Sequence, residues 1–169
     1  MATKPVRALS PWKEQLSVFA ATAVATLILW LLSSWAGPVA ESDGLIAARN
    51  VALPVHLACA LIALPLGAFV LWRPKGDATH KLLGRTWALL MLVIAVSSYW
   101  LRTLNGGFSF IHLLSVLTLV SIPVGIYQAR IGRIASHLRT MRGVYIGLVV
   151  AGFFSMAPER TLGQLLFGW

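Results

Sequence analysis

The sequence contains one cysteine and very little charge. A lone Cys59 excludes an intrachain disulfide. Set in an apolar run, it reads as a small buried hydrophobe. Only 11% of the residues are charged, where a soluble domain carries roughly 25%. Acidic residues are the scarcest, five Asp and Glu against fourteen Lys and Arg. With 58% hydrophobic residues, such a chain cannot dress a soluble core in charge. It reads as a single membrane domain in a lipid bilayer.

The net charge of +9 does not point to nucleic acid. The basic residues form no continuous surface. They fall in short clusters between apolar runs, where the positive-inside rule places them.

Five runs have the length of a transmembrane helix, near the roughly 20 residues that a 30 Å hydrocarbon core requires. They lie at about 15–37, 51–72, 78–101, 108–129 and 136–156. The first is too long for the apolar part of a cleaved signal peptide, so it is read as a span. Pro54 is expected in the first turn of the second span, where its missing N–H costs little. Pro65 and Pro123 are interior and expected to kink their helices. Asn105-Gly106-Gly107 marks a turn.

The expected organisation is a cytoplasmic tail at 1–14, an additional transmembrane helix at 15–37, a four-helix core at 50–157 and an interfacial tail at 158–169. Lys4, Arg7, Lys13, Arg73, Lys75, Lys81, Arg85, Arg130, Arg133, Arg139 and Arg142 sort to one side of the membrane. Only Arg49, Arg102 and Arg160 sort to the other. The N-terminus is therefore expected inside and the C-terminus outside, which for a bacterial inner membrane means cytoplasm and periplasm.

The chain has four histidines, His56, His80, His112 and His137. His56 and His112 lie near the outer ends of the second and fourth spans. His80 and His137 lie at the inner starts of the third and fifth. Pro65-Leu66-Gly67 resembles Pro123-Val124-Gly125, and Arg85 follows His80 at the interval at which Arg142 follows His137. The four core spans thus read as two parallel copies of one hairpin, related by a pseudo-two-fold axis along the membrane normal. That symmetry sets His56 across from His112, and His80 across from His137.

An ionisable residue inside a membrane is costly and by default suggests a functional site. Two imidazoles from facing helices suit the axial positions of a haem. Zinc or copper would ordinarily gather three or four ligands at one point. The expectation is two haem b groups at two depths, with metal ligands His56 and His112, and His80 and His137. With both axial positions filled, such a haem serves electron transfer rather than oxygen chemistry.

Lys81, Arg85, Arg139 and Arg142 lie close to the inner histidines. They would pair with haem propionates, or simply form the positive-inside belt. Gly67, Gly84, Gly125, Gly143 and Gly147 would make room for a flat macrocycle, or allow close helix contact. The plainer reading of each histidine is a snorkelling or hydrogen-bonded residue.

The stretches His80-Lys81-Leu82-Leu83-Gly84-Arg85, Gly107-Phe108-Ser109-Phe110-Ile111-His112 and His137-Leu138-Arg139-Thr140-Met141-Arg142-Gly143 resemble a bacterial membrane family, domain of unknown function 2306. More loosely, paired histidines on four consecutive helices resemble the cytochrome b561 superfamily. That resemblance implies bis-histidine haems and a donor such as a quinol or ascorbate. The chain departs from it in having one extra helix before the core, and it shows no donor-binding motif.

Two other classes stand beside electron transfer. One is a cofactor-free accessory subunit of a larger membrane complex, with a homodimer as a further form of assembly. The other is a transporter. The interior prolines would allow motion, but the sequence shows neither broken helices nor a midplane polar site.

Overall fold

The computed structural model describes residues 43–101 and 110–155. The expected tails at 1–14 and 158–169, the additional span at 15–37 and the Asn105-Gly106-Gly107 turn lie outside the described residues.

The described chain is all-helical. It comprises α1 (Asp43–Trp72), α2 (Ala78–Ser97), a 3-10 turn (Ser98–Trp100), α3 (Phe110–Arg130) and α4 (Ile134–Ser155). Three stretches are long and apolar enough to cross a membrane: Asn50–Trp72, Ala78–Trp100 and His112–Arg130. α4 has 22 residues, so length is not its shortfall. Arg139 and Arg142 dilute the apolarity of its first half.

α1 corrects one expectation. It is already helical at Asp43, the first described residue and well before the expected start, so the stretch 43–50 belongs to the helix. Pro54 therefore lies inside α1 rather than in its first turn. Its missing N–H withdraws the intrahelical partner of the Asn50 carbonyl. The helix nevertheless continues through both Pro54 and Pro65.

Local chemistry fixes the helix ends that position the histidines. Asp77 caps α2 by accepting the His80 backbone N–H at 2.7 Å. The same carboxylate pairs with Arg73 at 2.7 Å. Both bonds hold the Asp77 carboxyl below the usual carboxylate range, the His80 N–H most of all. α3 ends in a Schellman motif. Gly132 N–H donates to the Ala129 carbonyl at 3.2 Å, and Arg133 N–H to the Gln128 carbonyl at 2.8 Å. Gly132 takes the positive φ of +78° that this motif requires. The backbone of Gln128 is thereby pinned at the α3 terminus.

The helices pack in a ring. α1 packs on α2, α2 on α3, α3 on α4, and α4 back on α1. The diagonal pairs, α1 with α3 and α2 with α4, do not bring Cα atoms within 8 Å. At mid-height the ring is closed by Ala63, Trp87, Ala88, Met91, Ile122, Met141, Val144 and Leu148. In a bilayer such helices cohere through close packing rather than through the hydrophobic effect, because lipid is as apolar as leucine.

Two glycines are shaped by that packing. A methyl group built on Gly67 would stand 2.5 Å from Nε1 of Trp87 and 2.7 Å from Cδ2 of Tyr145. One built on Gly125 would collide with the Met141 methyl. Both positions serve close helix contact, the second of the two roles expected for them. The Trp87 indole donates to the Ala63 carbonyl at 3.1 Å, so α2 is tied to α1 in the densest part of the bundle.

Candidate functional site

Polar side chains collect at the two ends of the ring, on either side of the packed midsection. One end holds Ser97, Ser98, His112 and Ser115, all buried, with His56 half-buried beside them. The other holds Gln128, Ser136 and Thr140, all buried, with His80 and His137 half-buried. Along α2, from His80 to Ser97, the two levels are separated by about 25 Å of helical rise.

At the first end, His56 Nδ1 lies 3.0 Å from the Ser97 hydroxyl oxygen. Ser97 donates its own hydroxyl hydrogen to the Val93 carbonyl at 2.7 Å. The oxygen is thus left to accept, and Nδ1 of His56 is the donor. A neutral imidazole so held keeps its lone pair on Nε2, where a metal would take it. His112, on the diagonal helix α3, packs against Tyr99 with ring centroids 6.0 Å apart and planes tilted by 52°. The Ser98 and Ser115 hydroxyls join the 3-10 turn to α3 at 2.6 Å. His56 and His112 thus both lean on the segment Ser97–Tyr99, each from its own side.

At the second end, His137 Nδ1 lies 2.8 Å from the Gly125 carbonyl oxygen. A carbonyl only accepts, so this Nδ1 also carries the hydrogen and Nε2 the lone pair. His80 stands at the same end of the bundle, on the diagonal helix α2, with its Nδ1 buried and without a hydrogen bond. The backbones of α2 and α4 stay apart on this diagonal.

Lys81, Arg85, Arg139 and Arg142 are all exposed, a position open to both of the roles expected for them. Inside, at the same end, lies a residue that sequence reasoning missed. Gln128 is wholly buried. Its Oε1 accepts the Thr140 hydroxyl at 3.0 Å, and its Nε2 makes no hydrogen bond. The signal available in the sequence was a single amide side chain in an otherwise apolar span.

Among the described residues, no three His, Cys, Asp or Glu side chains gather at one point. Each end offers imidazoles from two helices. The donor set therefore suits an ion that brings its own equatorial ligands, as the iron of a haem does. Cys59 is a half-buried free thiol.

No curated protein and no solved structure matches this chain. Residues 53–161, well over half of the chain and all four histidines, match the family described as "Predicted membrane protein (DUF2306)", and the chain belongs to that family.

Proposed function

We propose that this protein is a transmembrane electron-transfer cytochrome holding two b-type haems. His80 and His137 hold one, and His56 and His112 the other. The observation that carries this reading is the placement of His80 and His137 at one end of the bundle, on diagonal helices whose backbones stay apart. Tethering of Nδ1 in His137 and in His56 supports it, because it presents Nε2 at each level.

A bis-histidine haem supplies reversible one-electron chemistry with no open site for oxygen or substrate. The protein's part is to orient the ligands and keep water out. His137 is steered by the Gly125 carbonyl and His56 by Ser97. The midsection around Trp87 excludes water between the two levels.

The remaining features of the proposal follow from charge and span count. Five spans, with the additional helix at 15–37 before the core, put the N-terminus in the cytoplasm of a bacterium and the C-terminus in the periplasm. A quinol within the bilayer is the donor class that suits a haem reached from the membrane.

The test is optical. Protein purified in detergent, reduced with dithionite, should show split b-type bands. His80→Ala and His137→Ala should each remove the same component and leave the other. A featureless spectrum, together with a stable larger complex in native mass measurement, would favour the cofactor-free accessory subunit instead.

A further inference from the structure

We infer that Gln128 is a binding residue of the inner site, whose Nε2 donates to a carboxylate oxygen of the haem held between His80 and His137. This rests on the reading proposed above and adds to it the residue that takes the propionate.

The argument begins with an unmet donor. Burying an amide N–H without a partner costs its hydration and returns nothing, so such groups are few. Gln128 Nε2 is one, on a residue with no exposed surface. The side chain is not loose, since its other amide atom is held by Thr140. Its backbone is held as well, by the Schellman turn of Gly132 and Arg133. A fixed, buried donor calls for an acceptor supplied from outside the chain.

Geometry says which part of a ligand would meet it. His80 on α2 and His137 on α4 stand at opposite corners of the ring, and a group that they held would border α1 and α3. Gln128 belongs to α3, at the end of the bundle that carries both imidazoles. The acceptor groups at a haem's edge are its propionates. The four basic residues near these histidines are exposed, whereas Gln128 is buried at the same end of the bundle.

Arg73 Nε also makes no hydrogen bond, but it is the weaker candidate. Its side chain is 18% exposed and already pairs with Asp77.

The test uses the full-length, haem-loaded protein. Gln128→Met keeps the length of the side chain and removes the donor. Gln128→Glu keeps the shape and opposes a carboxylate with a carboxylate. Both haem components should persist in each variant that folds. The midpoint potential of the component lost in His80→Ala should fall, because a propionate deprived of its donor favours ferric iron. The other midpoint should stay put. The resonance Raman propionate bending band of the same component should move.

A residue that merely fills space predicts no such response. Gln128→Met would then leave both potentials and the band unchanged, which overturns the assignment while the haem reading stands. Wild-type protein without split bands overturns both. If neither variant folds, Thr140→Val is measured instead. It releases the Gln128 amide from its second anchor, and the same one-component shift is expected. Equal or absent shifts in both components reject the proposal.

Discussion

Nδ1 of His137 lies 2.8 Å from the carbonyl oxygen of Gly125, on the neighbouring helix. A backbone acceptor is part of the scaffold and cannot rotate away, so the imidazole's orientation is set by the packing of α4 on α3. Gly125 has no side chain, and the Met141 methyl occupies the space one would need. The glycine that lets the helices close is also the residue that steers the histidine.

The other tethered histidine depends on a side chain, so it can be released by mutation. Ser97→Ala removes the oxygen that receives the His56 Nδ1 hydrogen. Loss of such an outer partner ordinarily weakens metal affinity by about 10–100-fold. Haem titration into the stripped variant should show weaker binding of the component that His56→Ala abolishes, with the His80–His137 component unaffected.

Gly67 and Gly125 should differ in their tolerance of alanine. At Gly67 the added methyl meets the indole of Trp87 and the ring of Tyr145, which are flat and rigid. At Gly125 it meets the flexible end of Met141. Overpacking of the first kind costs about 1–3 kcal/mol. Thermal denaturation in detergent should place Gly67→Ala clearly below Gly125→Ala, and both below the parent.

Trp87→Phe tests the tie between α1 and α2. The substitution deletes the N–H bonded to Ala63 O and part of a ring that is 2% exposed. A loss of about 2 kcal/mol is expected from the bond and the residual cavity together. Unfolding in a graded denaturing detergent measures it.

Asp77 predicts a pH dependence. Its carboxyl is depressed below the ordinary value near 3.8, chiefly by the His80 backbone N–H. A depressed carboxyl stabilises the fold above its unfolded pKa, and that contribution disappears as pH falls through the folded value. Asp77→Ala should therefore melt earlier than the parent at neutral pH. The gap should close in strongly acidic buffer, where the parent's Asp77 is protonated. A gap independent of pH would mean that the carboxylate charge is not what caps α2.

Much of this architecture was readable from residue order. The third span was expected to start near residue 78, and α2 begins at Ala78, where Asp77 caps it. The matched histidine intervals pointed to two polar levels, and the structure puts His56 and His112 at one end of the bundle and His80 and His137 at the other. The long first part of α1 was not readable, because the mixed stretch 43–50, with Asp43, Gly44 and Arg49 around four apolar residues, suits a loop and a helix equally well. Which glycines face a neighbour was also hidden. Gly67 and Gly143 look alike in sequence, yet aromatic rings press on the first and nothing lies within 4 Å of the second. Gln128 escaped because the position that matches it in the other hairpin, Val70, is apolar and marks no repeat. Its significance appears only when Thr140, from the next helix, is seen to satisfy one of its atoms and leave the other.

The belt of Ala63, Trp87, Met91, Ile122, Met141 and Leu148 has a bearing on the passage of ions. From Leu57 to Trp72, Thr86 to Trp100, Leu113 to Ala129 and Gly143 to Ser155, no residue carries a charge. Among the described residues, an ion crossing this waist would meet no opposite charge, which makes it the costliest stretch of the bundle for any ion to enter.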